Sequence, residues 1–355
     1  MDWKKSKFMQ GRNILPLKLK SGMNISEMIS NYENSSFEAR NVAKGARLYE
    51  YMVKNDDVIW LGIAGAVVLG GIGGYVVDLM RKGFIDVVCS TGAQVYHDLH
   101  FAFGLPVRQG SAFVDDNVLR KDGTTRVYDI NIRENETLMA QDKIIIDFGK
   151  KCKSLKGKFS SADFNYELGK YVLENSPHPE LSWVAQAAKL NVPVFWDSLS
   201  NHSIGMNIAK LFVGNKDLEP SPSLDVLESA GIVYSNPRTG FVELGGGGPK
   251  NFIQQTGPTI SQILGINFEG ADHGLQITTA VEKDGGLSGC TFSEAVTWGK
   301  YKDAHTGLVQ IWGESMVVAP IIFWYVNEAC KEKKPRQLML RKKEFYEHLV
   351  KNYKI

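Results

Sequence analysis

The run Val58-Ile59-Trp60-Leu61-Gly62-Ile63-Ala64-Gly65-Ala66-Val67-Val68-Leu69-Gly70-Gly71-Ile72-Gly73-Gly74-Tyr75-Val76-Val77 holds twenty residues without a charge. A helix of that length reaches across a bilayer. Two features turn the reading elsewhere. Six of the twenty are glycine, with pairs at Gly70-Gly71 and Gly73-Gly74, and Asp56-Asp57 and Asp78 bracket the run closely. Glycines in pairs mark turns rather than the middle of a helix. The stretch therefore reads as a buried strand, a glycine-rich turn and a helix start, which is how a layered α/β fold opens and not how a membrane span is built.

Working outward, short apolar runs alternate with amphipathic stretches. The strand candidates are Val58–Gly62, Ile85–Ser90, Ile144–Phe148, Val192–Trp196, Gly231–Tyr234, Phe241–Leu244, Leu275–Thr279 and Val309–Trp312. Helix-like segments lie between them at Val76–Lys82, Leu181–Leu190, Ser223–Ala230 and Asn251–Leu264. Alternation of this kind, with β-branched strands apolar on both faces, predicts an α/β fold with a doubly wound, mostly parallel sheet. Residues 1–50 form an N-terminal arm and helix, with Phe37, Val42, Ala46, Tyr49 and Met52 at helical spacing as its apolar face. Residues 51–330 form the main domain, and residues 331–355 a basic C-terminal helix or tail expected to be solvated. The polar excursion from Arg108 to Glu136 reads as a surface hairpin or interface arm.

Composition limits the function classes. With 43% hydrophobic and 23% charged residues over 355 positions the chain is globular. A net charge of +2 makes no case for nucleic acid or a membrane surface as partner. The cysteines Cys89, Cys152, Cys290 and Cys330 are scattered without metal-binding spacing, and the Met1-Asp2-Trp3-Lys4-Lys5 start develops no apolar leader. Both point to a reduced, cytoplasmic protein. His97-Asp98-Leu99-His100 sets two imidazoles three apart without an obvious third ligand, so no metal site is expected.

Chemistry should lie in the loops that follow strands, because ligands of doubly wound sheets bind outside the strands' carboxyl ends. Those loops carry Ser90-Thr91-Gly92-Ala93, Asp197-Ser198-Leu199-Ser200-Asn201-His202-Ser203, Gly245-Gly246-Gly247-Gly248, Thr279-Ala280 and Gly313-Glu314-Ser315. Small residues and hydroxyls there suit a dinucleotide, although Gly71-Ile72-Gly73-Gly74 lacks the usual GxGxxG spacing. The sharpest candidate is Lys300, behind Trp298-Gly299 and six residues after Glu294. An apolar wall would strip water from its ammonium and favour the neutral, nucleophilic amine. A lysine beside the glycine run Gly245–Gly248 also suits a pyridoxal phosphate enzyme, the glycines cradling its phosphate.

The octapeptide Ser293-Glu294-Ala295-Val296-Thr297-Trp298-Gly299-Lys300 resembles the signature of the deoxyhypusine synthase family. Further matches follow in order: Phe37-Glu38-Ala39-Arg40-Asn41, Ser90-Thr91-Gly92-Ala93, Asn191-Val192-Pro193-Val194-Phe195, Gly245-Gly246-Gly247 with Lys250, and Thr278-Thr279-Ala280. They span the chain from about residue 35 to about residue 330. The resemblance implies a Rossmann-like fold, a homotetramer with active sites at subunit interfaces, NAD as cofactor and spermidine as aminobutyl donor. It implies a hydride taken from the carbon beside the donor's secondary amine, capture of the imine by Lys300, loss of diaminopropane, and transfer to an acceptor amine.

On that resemblance Thr91, Gly92, Asn201, Gly245, Thr279, Ala280 and Glu314 fall on cofactor-binding positions. Asn201 stands in place of an aspartate, and Glu314 in place of another, one residue late. Trp298, Glu294, His97, Asn251 and Gln255 fall on substrate-binding positions, with Lys300 catalytic. His97 replaces a glutamate, Asn251 a histidine, Gln255 an asparagine, and Met206 and Leu287 two aspartates. Spermidine is a trication, so removing three carboxylates alters how it can be held. The pattern resembles the divergent, deoxyhypusine synthase-like branch. It favours a small acceptor such as putrescine, giving homospermidine, over a lysine on a translation factor; the alternative of another class is a protein that binds NAD or polyamine without catalysis, the altered carboxylates reflecting lost activity.

Overall fold

A computed structural model describes residues 6–353. The reading of the first five residues as no leader lies outside the described residues, as do the last two of the C-terminal segment. The opening run folds as its glycines require. Strand β1 (Val58–Ile63) is wholly buried, a turn follows, and a helix runs from Gly73 to Arg81. Gly71 in that turn has φ of 101°, a conformation that favours glycine. Among the described residues no helix is long and apolar enough to cross a membrane.

The chain continues through β2 (Val87–Ser90), β3 (Val107–Gln109), β4 (Thr124–Val127), β5 (Ile130–Arg133), β6 (Val194–Trp196), β7 (Thr239–Leu244), β8 (His273–Thr278) and β9 (Leu308–Trp312). The main sheet has the order β6-β2-β1-β7-β8-β9 with every neighbouring pair parallel. Numbered within that sheet alone, the order is 3-2-1-4-5-6, the Rossmann-like arrangement, whose direction of winding reverses between β1 and β7.

Strand alternation sends side chains into two cores. Ile59, Leu61, Ile63, Val242, Leu244, Leu275 and Ile277 enter one, with the helices Phe37–Lys54, Gly73–Arg81 and Ser315–Ala329. Val58, Trp60, Val87, Cys89, Phe195 and Phe241 enter the other, with the helices Pro222–Tyr234, Gly247–Gln254, Phe292–Thr297 and Leu338–Asn352. This second face carries the candidate site.

Two expected strands are helices. Ile144–Phe148 lies within the helix Ala140–Lys151, where Gln141, Ile145, Phe148 and Gly149 are buried at helical spacing. Gly231–Tyr234 ends the helix Pro222–Tyr234. A Cβ on Gly231 would sit 2.7 Å from the Phe345 carbonyl, so this glycine permits close helix packing.

The C-terminal segment is docked, not solvated. Leu338, Phe345 and Leu349 enter the second core, and buried Lys342 donates to Ser160 Oγ and Asp163 Oδ2, each at 3.0 Å, and pairs with Glu228. In the N-terminal helix Val42, Ala46, Tyr49 and Met52 are buried as expected, but Phe37 is 92% exposed. It is the helix's first residue, with φ of 59°, and points away from the face that the others share. The excursion after Arg108 forms a separate antiparallel sheet, β3-β5-β4, in which β4 and β5 make a hairpin.

Candidate active site

The sheet gathers the expected cofactor positions along one edge. Thr91 and Gly92 follow β2, Asn201 lies in the loop after β6, Gly245 ends β7, Thr279 and Ala280 follow β8, and Glu314 follows β9. Several are shaped by contacts that admit no larger residue. A Cβ on Gly92 would lie 2.2 Å from the His202 ring, and one on Gly248 only 1.8 Å from Asp197 Oδ2. Gly245 has φ of 79°; its N–H donates to the Ile277 carbonyl at 2.8 Å and its carbonyl accepts from Gln276 Nε2 at 2.8 Å. Gln94 fixes the loop after β1 through the carbonyls of Ala64 and Gly65. Thr91 and Glu314 each cap a helix, accepting from the N–H of Gln94 at 3.3 Å and of Val317 at 3.0 Å.

Lys300 sits where the helix Phe292–Thr297 has just ended. Gly299, with φ of 71°, turns the chain, and Tyr301 bridges to Ala271. Lys300 is 6% exposed and packs on Gly257 of the segment after the helix Gly247–Gln254. Its Nζ donates to Asn251 Oδ1 at 3.4 Å, a weak hydrogen bond, and it forms no ion pair among the described residues. Burial holds its pKa below the ordinary 10.5; nearby Cys290, Glu243 and Glu294 act against that, while the charge on Lys250 reinforces it.

Lys250, 2% exposed, is held differently. Its ammonium donates to the Cys290 carbonyl at 2.7 Å and to Gln276 Oε1 at 2.9 Å. Behind the two lysines lies Glu243, buried on β7, with Oε1 accepting from Gln254 Nε2 at 2.7 Å and Tyr301 OH at 3.3 Å. Burial pushes its carboxyl up to about 7 against the pull of Lys250 and Lys300. Next to Asn251 opens a cleft of about 220 Å³ lined by Asp197, Gly248, Asn251, Gln255 and Thr259. Asp197 Oδ1 is buried without a hydrogen-bond partner among the described residues, and burial raises that carboxyl to about 6.

A model of the deoxyhypusine synthase family matches residues 27–326. The chain belongs to that family. It is 34% identical to a deoxyhypusine synthase-like protein of Nostoc sp., over 97% of this chain and 91% of the relative. It is 36% identical to a protein of Methanosarcina acetivorans named probable deoxyhypusine synthase 2, over 88% of this chain and 89% of the relative. Its fold is similar to a crystal structure described as that of a deoxyhypusine synthase from Entamoeba histolytica, with a TM-score of 0.56 at 16% identity, covering 88% of this chain and 96% of that one.

Within this deoxyhypusine synthase-like chain the expected substrate positions divide. Asn251 and Gln255 line the cleft beside Lys300, and Glu294 acts on Lys300 electrostatically from an exposed rim. Trp298, expected as the wall over Lys300, is 61% exposed, while the Lys300 backbone packs beside Gly257 and its amine meets Asn251. His97 Nδ1 faces His100 Nε2 at 3.1 Å and its ring packs on Tyr96. Burial lowers its pKa to about 4, so it is uncharged at neutral pH. Met206 and Leu287, at positions where carboxylates are expected, are 68% and 49% exposed.

Sequence reasoning assigned no role to Glu243, Gln276 or Tyr301; it placed Asp197 only within a strand-end loop suited to a dinucleotide and Lys250 only within the family resemblance. The signal for Glu243 was present: an acidic residue inside the apolar stretch Phe241–Leu244 of a buried strand.

Proposed function

We propose that this protein transfers an aminobutyl group from spermidine or a related polyamine to an amine acceptor, through an imine on Lys300 and with NAD as cofactor. The observation that carries the reading is the state of Lys300, a buried amine without an ion-pair partner among the described residues, beside a cleft that opens to the strand ends. A neutral amine attacks an electrophilic carbon; an ammonium does not.

The residues present fit a dinucleotide. The winding reverses at β1 and β7, where Gly245–Gly248 leaves the sheet, and Asp197 offers an unpaired buried acceptor against Gly248. Thr91, Gly92, Asn201, Gly245, Thr279, Ala280 and Glu314 would hold it. When bound, NAD supplies a hydride acceptor for the carbon beside the donor's secondary amine and a hydride donor for the product. The Lys300 Nζ lone pair forms the new carbon–nitrogen bond. Diaminopropane leaves with the electrons of the broken bond and takes up the proton that Nζ sheds. An acceptor amine then displaces Lys300, which regains a proton. Asn251 positions Nζ, and Asn251, Gln255 and Glu294 flank the bound amine. His97 and the exposed Trp298 would reach the substrate where a second subunit of a homotetramer closes over this edge. Residues 51–330 would form the catalytic domain of a cytoplasmic enzyme.

A small diamine such as putrescine is the preferred acceptor, giving homospermidine. Met206 and Leu287 put exposed uncharged side chains at two positions where carboxylates are expected, which removes two contacts for a cationic partner protein. The second reading, a lysine of a translation factor as acceptor, has the name of the Methanosarcina relative in its favour.

Borohydride reduction in the presence of NAD and spermidine, followed by peptide mass spectrometry, tests the mechanism. An aminobutyl adduct on Lys300 is expected, and Lys300→Arg should abolish it with the circular dichroism spectrum unchanged. If NAD binds but neither spermidine nor putrescine leaves an adduct on Lys300, the mechanism is wrong. In parallel reactions without borohydride, adding putrescine or a candidate acceptor protein to the enzyme with NAD and spermidine then separates the two acceptors by product.

A further inference from the structure

Three ionisable groups share one buried pocket on the second face of the sheet: Lys250, Lys300 and Glu243. Two ammonium ions and one carboxylate do not balance in a medium that solvates charge poorly. The hydrogen bonds decide which amine keeps its proton. Among the described residues Lys250 has two oxygen acceptors within 2.9 Å, whereas Lys300 has only Asn251 Oδ1 at 3.4 Å. Lys250 is thus the settled cation and Lys300 the amine that can go without charge.

Glu243 is tied to both elements that set this arrangement. Gln254, which donates to its Oε1, lies one helical turn beyond Lys250 and Asn251; Tyr301, the other donor, directly follows Lys300. Its second oxygen, Oε2, is buried without a partner among the described residues. In the sheet its neighbours in register are Gly62 and Gln276, both neutral. The remaining groups that act on Lys300 are Cys290 and Glu294, on the approach to and within the helix Phe292–Thr297. Glu294 is exposed, so its charge is screened.

We propose that Glu243 is a positioning residue for the chemistry at Lys300, a carboxylate fixed behind the lysine that offsets the positive charge its nitrogen carries as ammonium and, once bonded to substrate, as protonated imine. The role rests on the reading of Lys300 as the covalent amine. A buried cation formed during turnover needs a fixed counter-charge, because water is not there to reorganise around it. Gln254 and Tyr301 hold the carboxylate in place, so that it acts through space and not as a competing nucleophile.

The test separates this role from turnover. Competitive acetylation of Lys300, read by mass spectrometry from about pH 6 to about pH 10, gives the titration of its amine with no substrate present. Glu243→Gln keeps the shape and the acceptor for Gln254 but removes the charge. It should lower the Lys300 midpoint by about one unit, a gain of about tenfold in labelling on the acid side. Tyr301→Phe, which loosens the carboxylate without removing it, should move the midpoint the same way by less. The borohydride-trapped adduct should fall several-fold in Glu243→Gln and recover in part in Glu243→Asp. A midpoint in Glu243→Gln that stays in place or rises overturns the proposal. Failure of the wild-type protein to form any adduct would instead overturn the Lys300 mechanism, while the labelling midpoints still decide whether Glu243 balances the amine.

Discussion

An amine is useful as a nucleophile only in the fraction that has shed its proton, and at Lys300 burial enlarges that fraction. The rate of adduct trapping should rise with pH and level off below 10.5, the value of a solvated lysine. A rate still climbing at that pH would show that the pocket does not depress the amine. Glycine matters at this scale too. Gly248 allows Asp197 to approach to a distance that a methyl group at 1.8 Å forbids. Gly248→Ala should push Asp197 out of the cleft and weaken NAD binding by at least tenfold, with a loss of about 1–3 kcal/mol in stability from overpacking. Equal NAD affinity in calorimetric titrations would remove Asp197 from the cofactor site. Lys300 stood out in the sequence because an uncommon motif surrounds it. Glu243 did not, because its meaning depends on Gln254 and Tyr301, which lie 11 and 58 residues away along the chain.

Elements were readable where their pattern was unambiguous. The strands at Val58, Phe241, Leu275 and Val309 announced themselves as short apolar runs between turns, and the structure places each in the main sheet. Ile144-Ile145-Ile146 has the same local look but belongs to a helix, since a run of three cannot distinguish a period of 2 from one of 3.6. The C-terminal helix was misjudged for a different reason. Its lysines and arginines suggest a solvated surface, yet Lys342 is buried against Glu228 and Asp163, partners that only the fold brings near. Removing one member of a buried ion pair leaves the other uncompensated. Lys342→Met should therefore cost about 3 kcal/mol, measured by urea denaturation, and release the helix to proteolysis before the rest of the domain unfolds. A loss under about 0.5 kcal/mol would mean the pair is solvated after all.

At the scale of the whole molecule, burial sets how stability varies with pH. Asp98, Asp225 and Glu243 are each raised to about 7 by burial, against ordinary values of 3.8, 3.8 and 4.5. Asp86 and Asp197 are raised to about 6 by the same cause. Between the ordinary and raised values the folded protein binds more protons than the unfolded chain, so stability falls as pH rises through that window. The buried histidines oppose this. Burial lowers His97 to about 4 and His100 to about 3 from 6.5, so the unfolded chain binds their protons and stability rises with pH until about 6.5. Above that value the histidines no longer contribute, and the slope up to pH 8 comes mainly from the three carboxyls near 7; Lys250 and Lys300, lowered from 10.5 by burial, tilt the curve the other way as they lose their protons. Unfolding free energy should therefore decline from pH 6.5 to pH 8, by on the order of 1 kcal/mol per carboxyl, and then flatten. Glu243→Gln removes one of the three and should make the decline shallower by about a third. Urea titrations at matched ionic strength across this range decide the matter. A wild-type curve that rises from pH 6.5 to pH 8, or a Glu243→Gln curve parallel to it, would show that Glu243 is already ionised in the fold. Its charge would then be fully engaged by Lys250 and Lys300 at neutral pH, and the pocket behind the reactive amine would be a closed ion cluster instead of one that exchanges a proton.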